Sequence, residues 1–405
     1  MGMIETVRSV VQFRQFEFDS AKRRLNRAAD VSDLRLAAKR RLPFGVFDYI
    51  DGGAEDERTL DRNTAAFGRI EFRPRVLNDV SEVDTSSTLL GKPIPFPLAL
   101  SPTGFTRIAH SQGELAVARA AQRAGLPYSL STMGTRSIEE VAAVSTGTKW
   151  YQVYTWKDRG LVKEMISRAE ASGYEALILT VDTAVLGRRE RDVRRGYTLP
   201  PKIGLDTIID GLIHPAWTKD FLTNDPITFA NVPPSSGAGD GSTAVDLAGF
   251  INSQFDQALS WSDVDWLRSV WPGPVILKGI QTVADAELAV KSGVEAIALS
   301  NHGGRQLDDA PTPIELVEPV AQAVGGHIDI ICDGGVRRGS DIAKALALGA
   351  TACSIGRPYL YALGAAGEAG VDHVLEFFRT GLVRTMQLSG CRSIEDLNRD
   401  LVAWR

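Results

Sequence analysis

The string SNHGGRQ at residues 300–306 contains the most specific chemistry in this 405-residue sequence. His302 is one of only five histidines, and the two glycines after it let the backbone approach a ligand closely. An imidazole can accept a proton near neutral pH, and an arginine such as Arg305 can bind a carboxylate through two parallel hydrogen bonds. The string therefore predicts a base beside a carboxylate clamp, a combination that suits a 2-hydroxy acid as ligand. The alternative is a surface turn with a solvated arginine.

A second glycine-rich stretch, CDGGVRRGS at residues 332–340 followed by SIGR at 354–357, predicts a phosphate site. Glycine amides, a helix N-terminus and basic side chains are groups that bind phosphate. Arg337 and Arg338 open a predicted helix, where arginine is electrostatically unfavourable unless an anion lies nearby. The alternative is a charged helix start without a ligand. A phosphate in addition to a carboxylate implies two ligands, a cofactor and a substrate.

Lys278 ends the apolar run VILK at residues 275–278. A lysine at the end of a buried run is costly unless an anionic partner compensates its charge. A flavin, which gains negative charge on reduction, is one such partner. A salt bridge to a carboxylate of the chain is the alternative.

Eight short apolar runs, alternating with helical patterns, must position these groups. The runs are PLALS (97–101), YSLS (128–131), WYQVY (150–154), ALILTV (176–181), VILK (275–278), AIALS (296–300), IDIIC (328–332) and ACSI (352–355). Such near-continuous apolar runs are typical of parallel strands buried on both faces. Helical patterns lie at 112–124, 158–172, 282–292 and 340–348, and a glycine follows each of them. Eight strand–helix units predict an α/β fold closed into a (β/α)8 TIM barrel, and the dinucleotide fingerprint of open sheets is absent.

Polar or charged residues follow almost every predicted strand. They are Thr103, Ser131, Gln152 with Tyr154, Thr180 with Asp182, Lys278, His302 with Arg305, Asp333, and Gly356 with Arg357. Functional side chains of α/β barrels cluster at the C-terminal ends of the strands. Solvation of a loop explains any one of these residues, but not a complete rim of them, so the rim predicts an active site.

Residues outside the repeat suggest three parts: a helical N-terminal segment (1–94), the barrel (95–380) with an insertion at 183–260, and a C-terminal segment (381–405). The insertion contains PPSSGAGDG at 233–241, a composition typical of a flexible tip.

One helical face in the insertion is apolar, with Leu205, Ile208, Ile209, Leu212 and Ile213. We expect this face to pack on the barrel mouth. A peripheral membrane contact, helped by Trp217 and Phe221, is the less favoured alternative, because Asp206 and Asp210 make the polar face acidic.

Charge and cysteine usage exclude several classes of protein. A net charge of −5 argues against nucleic acid as a partner. The three cysteines form no C-x-x-C pair, which favours buried thiols in a reducing compartment over disulfides or a metal site. No run approaches the roughly 18 apolar residues of a spanning helix, and residues 1–20 have no apolar region typical of a signal peptide. We therefore expect a cytoplasmic protein, with peripheral contact to the inner face of the cell membrane as a further option.

With these motifs in view, the chain resembles the family of FMN-dependent α-hydroxy acid dehydrogenases and oxidases from about Asp33 to Leu397. The matching strings are FDYIDGGAEDE (47–57), SPTG (101–104), QVY (152–154), LTVDT (179–183), GRRERD (187–192), LKG (277–279), SNHGGRQLD (300–308), DGGVRRG (333–339), ALGA (347–350) and IGRPYLY (355–361). The string SNHGGRQLD is the most specific of them. The segment HPAW at 214–217 is similar to that of bacterial flavin-type L-lactate dehydrogenases.

The resemblance implies roles residue by residue. His302 resembles the catalytic base, Asp182 the carboxylate that stabilises its imidazolium, and Tyr154 and Lys278 the groups that assist them. It implies that the substrate is held by Tyr49, Tyr154, Arg189 and Arg305, with Met133 along its tail. It implies that FMN is held by Pro102, Thr103, Gly104, Ser131, Gln152, Thr180, Lys278, Ser300, Asp333, Gly334, Gly335, Arg337, Gly356 and Arg357. Transfer of the substrate hydrogen as hydride or through a carbanion remains open.

The resemblance further implies oxidation of a small L-2-hydroxy acid, with L-lactate the leading substrate and a quinone the leading acceptor. Gly104 stands where oxidases of the family often carry alanine, which favours a dehydrogenase or monooxygenase. Alternatives are an oxidase or monooxygenase that uses O2, and a mandelate-type substrate. A peptide-modifying branch of the family lacks the arginine at the position of Arg305. From other classes, a non-redox flavin isomerase and a flavin-free lyase remain candidates. Related barrels imply a homotetramer.

Overall fold

The computed structural model describes residues 17–195, 204–232, 250 and 253–405. The described strands are β1 Ile70–Phe72, β2 Ser87–Leu89, β3 Lys92–Ile94, β4 Leu98–Thr103, β5 Tyr128–Ser131, β6 Lys149–Val153, β7 Ala176–Thr180, β8 Val275–Ile280, β9 Ala296–Ser300, β10 Asp329–Asp333, β11 Ala352–Ile355 and β12 Val402–Trp404. Strands β4 to β11 form a closed barrel in which each strand pairs in parallel with the next and β11 returns to β4. The predicted barrel is confirmed, and all eight apolar runs are its strands.

Helices surround the barrel and precede it. The described α-helices are α1 Ser20–Leu25, α2 Val31–Arg41, α3 Phe44–Asp51, α4 Arg58–Ala65, α5 Gly113–Ala124, α6 Ile138–Val144, α7 Arg159–Ala171, α8 Glu190–Arg194, α9 Leu205–Ile213, α10 Pro215–Thr223, α11 Trp261–Val270, α12 Val283–Lys291, α13 Pro313–Val324, α14 Gly339–Ala347, α15 Arg357–Ala366 and α16 Glu368–Ser389. The four predicted helical patterns are α5, α7, α12 and α14. The glycines after them, Gly125, Gly173, Gly293 and Gly349, all have positive φ. Each helix therefore ends as its sequence predicts.

Strand alternation puts one polar side chain from each barrel strand at the upper end of the barrel. Successive side chains of a strand point to opposite faces, so Ala176 and Ile178 of β7 belong to the inner core while Leu177 and Leu179 face the helices. On each barrel strand, the next inward-facing residue towards the C-terminal end of the strand is polar. The resulting buried layer contains Ser101, Ser131, Gln152, Thr180, Lys278, Ser300, Asp333 and Ser354.

Two antiparallel strand pairs lie outside the barrel. In the β2–β3 pair, Leu89 and Ile94 pack against the inner core and so close the lower end of the barrel. Strand β1 pairs with β12, which joins the N-terminal and C-terminal regions. Helix α16 runs through the boundary expected at residue 380, and the division into 1–94, 95–380 and 381–405 stays a prediction. Cys332, Cys353 and Cys391 are buried and free, as predicted.

The expectation that the apolar face of α9 packs on the barrel mouth is wrong. Its five apolar residues are each more than half exposed: Leu205, Ile208, Ile209, Leu212 and Ile213. The helix is attached by its polar side instead, because buried Asp210 accepts a hydrogen bond from the N–H of Phe44 at 2.6 Å. The side chain of Asp206 and the predicted flexible tip at 233–241 lie outside the described residues. In the described part of the chain, no helix is long and apolar enough to cross a membrane.

Candidate active site

A cavity of about 200 Å³ opens at the C-terminal ends of the barrel strands. Seventeen of the predicted site residues line it: Tyr49, Pro102, Thr103, Gly104, Ser131, Met133, Tyr154, Arg189, Lys278, His302, Arg305, Asp333, Gly334, Gly335, Arg337, Gly356 and Arg357. Four do not line it: Gln152, Thr180, Asp182 and Ser300. Of these four, Asp182, Ser300 and Gln152 contact lining residues directly, and Thr180 contacts Gln152.

His302 and Asp182 form the pair that the sequence predicts. The imidazole Nδ1 lies 3.0 Å from Asp182 Oδ1, and the Asp182 side chain is only 3% exposed. This contact leaves Nε2 as the ring nitrogen for other partners. His302 itself has a φ of +58°, a left-handed conformation that few residues other than glycine adopt. Gly303 and Gly304 continue the left-handed turn, which carries the ring from the end of β9 into the cavity.

Two arginines meet over one tyrosine ring at the cavity wall. The guanidinium of Arg305 lies 5.0 Å from the ring centre of Tyr49, and that of Arg189 lies 5.5 Å from it. Arg305 also donates to the carbonyl of Tyr49 at 2.6 Å and to that of Gly52 at 3.1 Å. In the described residues it makes no ion pair. Burial, reinforced by Arg189, lowers the pKa of Arg305 to about 9. Arg189 is also paired with Asp192 at 3.5 Å, and the two clustered guanidiniums suit an anion such as a carboxylate.

Lys278 and Asp333 form a buried ion pair below these groups. Lys278 Nζ lies 3.0 Å from Asp333 Oδ2, and three serine hydroxyls, those of Ser101, Ser300 and Ser354, donate to the same carboxylate at 2.5–2.7 Å. Burial alone would raise the pKa of Asp333, but the Lys278 charge and the hydroxyls outweigh it and lower the pKa to about 2. Both partners stay charged at neutral pH. The salt bridge considered as the alternative for Lys278 is therefore present, and the ammonium still lines the cavity.

Gln152 and Thr180 lie behind Ser131. The Ser131 hydroxyl donates to Gln152 Oε1 at 2.9 Å, and Gln152 Nε2 donates to Thr180 Oγ1 at 3.0 Å. All three side chains are buried. In this arrangement, Gln152 and Thr180 orient Ser131 instead of lining the cavity themselves.

The other end of the cavity has groups suited to a phosphate. Gly334 and Gly335 have φ values of +144° and +79°, a backbone region that favours glycine. The guanidinium of Arg337 donates, among the described residues, only to the neighbouring Val336 carbonyl and makes no ion pair with them, and burial lowers its pKa. A desolvated guanidinium beside glycine amides fits a phosphate group. The residues present therefore fit FMN, with a phosphate at one end of the cavity and the charged and hydroxyl groups of the strand ends at the other.

Arg357 has a further structural task. Its guanidinium donates to the carbonyls of Ile50 at 3.0 Å, Gly303 at 2.8 Å and Gly52 at 2.7 Å. It thus joins the end of α3 to the turn that carries His302. Its predicted contact with the cofactor stays a prediction.

Three phenylalanines line the cavity that sequence motifs did not reveal: Phe105, Phe229 and Phe255. Phe105 lies 5.2 Å from Phe229 and 6.3 Å from Tyr49 between ring centres, and Phe255 lies 5.2 Å from Tyr154. We call these three side chains the phenylalanine wall. Phe229 and Phe255 belong to the insertion, which has no motif that marks them. The periodicity of helices or strands could not have revealed them, because none of the three lies in a helix or strand given above.

Fold and site together define a class of protein, a barrel enzyme that holds FMN and a carboxylated substrate at one rim. The family model described as FMN-dependent dehydrogenase matches residues 38–404. The "Putative L-lactate dehydrogenase" of Mycobacterium tuberculosis (strain ATCC 25618 / H37Rv) is 46% identical over 390 residues, 96% of this chain and 92% of that protein. Glycolate oxidase 1 of Oryza sativa subsp. indica is 44% identical over 370 residues, 91% of this chain and 94% of that one.

A solved structure is also similar to this chain. The crystal structure of the monotopic membrane protein (S)-mandelate dehydrogenase has a TM-score of 0.89 and 38% identity, over 93% of this chain and 100% of that one. The chain therefore belongs to the family of FMN-dependent dehydrogenases. It is an FMN-dependent oxidoreductase that oxidises a 2-hydroxy acid.

Proposed function

We propose that the chain is an L-2-hydroxy acid dehydrogenase that converts L-lactate to pyruvate and passes the electrons to a quinone. The observation that carries this proposal is the His302–Asp182 pair at 3.0 Å beside the clustered guanidiniums of Arg305 and Arg189. A base and an anion site on one cavity wall suit a substrate that has a hydroxyl next to a carboxylate.

Each side chain then has a defined task. His302 Nε2 accepts the hydroxyl proton of the substrate, and Asp182 stabilises the imidazolium that results. Arg305 and Arg189 bind the carboxylate in a two-pronged manner. Tyr154 donates a hydrogen bond from a hydroxyl that stays protonated, because burial raises its pKa. When bound, FMN supplies the two-electron acceptor for the substrate Cα–H.

The groups proposed to hold FMN divide along the cavity. Pro102, Thr103, Gly104 and Ser131, with Gln152 and Thr180 behind Ser131, would contact the ring system. Lys278 with Ser300 and Asp333 would contact the pyrimidine and ribityl part. Gly334, Gly335, Arg337, Gly356 and Arg357 would hold the phosphate end. Lys278 would supply a positive charge beside the cofactor, which favours the uptake of electrons there.

The choice of acceptor rests on Gly104. A Cβ at this position would lie 2.7 Å from the Cβ of Met133, so alanine would require Met133 to shift. The glycine thus keeps space beside the proposed ring site, as we expect of a dehydrogenase. Peroxide formed with L-lactate under air tests this directly. Stoichiometric peroxide would make the protein an oxidase.

A second candidate substrate is a larger acid of the mandelate type, which the phenylalanine wall favours. Phe105, Phe229 and Phe255, together with Met133, give the cavity an apolar surface. Such a surface suits an apolar tail and offers no partner to a second carboxylate.

Anaerobic titration of the FMN-loaded protein separates these possibilities. L-lactate, D-lactate, glycolate and (S)-mandelate are added in turn while flavin absorbance is followed. Bleaching by L-lactate but not D-lactate supports the leading proposal, and a higher kcat/KM with mandelate supports the second. Bound flavin that no 2-hydroxy acid bleaches would favour a non-redox isomerase, and failure to bind FMN would favour a lyase.

We further propose that the exposed face of α9 contacts a phospholipid surface on the inner side of the cell membrane. Its five apolar residues are exposed, as is Leu222 of the following helix α10, and the similar (S)-mandelate dehydrogenase is a monotopic membrane protein. Vesicle co-sedimentation tests it with Leu212→Glu, and Leu388→Glu is the matched control, since the two leucines are 72% and 74% exposed. Only the first change should release the protein from vesicles; equal retention of both variants would contradict the proposal. A homotetramer stays a prediction for sedimentation analysis.

A further inference from the structure

Gln306 connects the two loops that carry the proposed chemistry. One loop follows β9 and holds His302 and Arg305. The other follows β7 and holds Asp182 and Arg189. Nothing in the predicted roles involves Gln306, although it stands one residue beyond the carboxylate clamp and reaches the cavity.

Both ends of the Gln306 amide are bonded to the loop after β7. Its Oε1 accepts a hydrogen bond from the N–H of Gly187 at 3.0 Å. Its Nε2 donates to the carbonyl of Asp182 at 3.0 Å and to that of Val185 at 2.9 Å. A single side chain therefore spans three backbone groups between the proposed carboxylate partner and the second arginine.

The backbones of the two loops are also in close contact at Gly187. A Cβ there would lie 2.6 Å from the carbonyl oxygen of Gln306 and closer still to that of Arg305. Glycine allows this approach, and the Gln306 amide then holds the loop in place. The distance between the two loops is thus set locally, at the edge of the site.

Asp182 depends on this support. Its Oδ1 contacts His302, but its buried Oδ2 has no hydrogen-bond partner among the described residues. One side-chain contact does not fix a carboxylate, so its orientation must come from its backbone. The hydrogen bond from Gln306 Nε2 to the Asp182 carbonyl directly restrains that backbone.

We propose that Gln306 is a positioning residue. It keeps Asp182 in hydrogen-bonding position beside His302, and it keeps Arg189 close to Arg305. It acts through these four groups, and the proposal rests on the roles given to them above. A displacement of about 1 Å in such a constellation can slow a reaction about 100-fold. Loss of the Gln306 bonds should therefore slow flavin reduction far more than it weakens FMN binding.

Two variants and one control test the proposal on the FMN-loaded protein. Gln306→Met keeps the length of the side chain and removes all three hydrogen bonds. Gln306→Glu keeps an acceptor for Gly187 but loses the donors, except at low pH, where a protonated carboxyl can donate again. Leu307→Ala changes the next residue, whose side chain is exposed.

The measurement is anaerobic stopped-flow reduction of the flavin by the substrate that reduces the wild-type flavin fastest. We expect Gln306→Met to lower the limiting rate constant about 10- to 100-fold, with KM changed less and FMN affinity within about 3-fold of wild type. The rate of Gln306→Glu relative to Gln306→Met should rise as the pH falls from 8 to 5. Leu307→Ala should match wild type.

Failure of this proposal differs from failure of the proposed function. If no 2-hydroxy acid reduces the wild-type flavin, the roles of His302 and Arg305 fail first. If wild type reacts and Gln306→Met keeps its rate constant while its melting temperature falls, Gln306 is structural only. If Gln306→Met folds poorly, the Glu variant decides: a rate with the same pH profile as wild type would overturn the positioning role.

Discussion

The strand ends of the barrel and the insertion between β7 and β8 both line the cavity, but different physical rules build them. At the strand ends, alternation and closure determine which side chain points inward, so Lys278 and Asp333 must meet there. In the insertion, Phe229 and Phe255 reach the cavity from irregular chain, held by contacts with other aromatic rings. In the proposed mechanism, the barrel rim supplies proton transfer and most of the charge, while the insertion supplies Arg189 and an apolar surface. Reaction type then depends mainly on the repeat, and substrate preference on the segment that interrupts it.

The first prediction concerns the rim and has the largest effect. His302→Asn keeps a polar side chain beside Asp182 but removes the proposed base. A positioned general base contributes about 10²- to 10⁴-fold, so flavin reduction by L-lactate should slow by about 10³-fold or more. Anaerobic stopped-flow absorbance measures it, with His327→Asn as the control in the turn before β10. A loss of less than about 10-fold would remove His302 from the role of base.

The second prediction concerns the buried ion pair of the rim. Lys278→Met leaves the Asp333 carboxylate buried without its ammonium, and breaking a buried pair costs about 3–5 kcal/mol. Burial then raises the pKa of Asp333, whereas in wild type the pair lowers it to about 2. A raised pKa means that the folded state binds the proton more readily than the unfolded state, so the loss of stability shrinks as the pH falls.

Urea unfolding at pH 7.5, 6 and 5 tests whether the loss of stability in Lys278→Met shrinks as the pH falls. The free energy of unfolding of Lys278→Met should lie furthest below wild type at pH 7.5 and approach it towards pH 5. In wild type, the contribution of Asp333 is complete above its unfolded pKa of about 4 and is lost as the pH falls towards 2. Lys291→Met, at the exposed end of α12, is the control and should show no such trend. A deficit of equal size at every pH would contradict the explanation.

The contrast between the two regions also explains what the sequence could predict. His302, Arg305, Lys278 and Asp333 were predictable because each lies at or shortly after the C-terminal end of an apolar run, and the closure of eight runs brings these ends together. The roles of Gln152 and Thr180 were less accessible, since both lie behind the cavity and only the hydrogen bonds from Ser131 to Gln152 and from Gln152 to Thr180 reveal this.

The insertion offered a periodic pattern but no information on its orientation. Spacing identified the apolar face of α9 correctly, yet the direction of that face depended on tertiary contacts. Asp210 is the residue that decides it, because its bond to the N–H of Phe44 turns the polar side towards the body of the protein. Helical periodicity shows that a helix has an apolar face, but it does not show what that face contacts.

The third prediction concerns the phenylalanine wall. Phe229→Ala removes a buried ring that packs on Phe105. Loss of one apolar contact with a substrate tail is worth about 10-fold in kcat/KM, so (S)-mandelate should lose about that factor. Glycolate, which has no tail, should change less than about 2-fold. Phe221→Ala, in the exposed part of α10, is the matched control. Equal losses for both acids would mean that Phe229 supports the fold and does not select substrates.

The fourth prediction has the smallest effect and compares two leucines of the two regions. Leu212→Glu changes an exposed position of α9, so the free energy of unfolding should stay within about 0.5 kcal/mol of wild type. Leu177→Ala removes a fully buried side chain of β7 and should cost about 2–5 kcal/mol. Flavin reduction by a soluble substrate should be unaffected by Leu212→Glu, because the changed side chain is absent from the cavity wall. If Leu212→Glu instead destabilised the protein as much as Leu177→Ala, the apolar face of α9 would have a partner within the chain, and a phospholipid surface would no longer be needed to explain it.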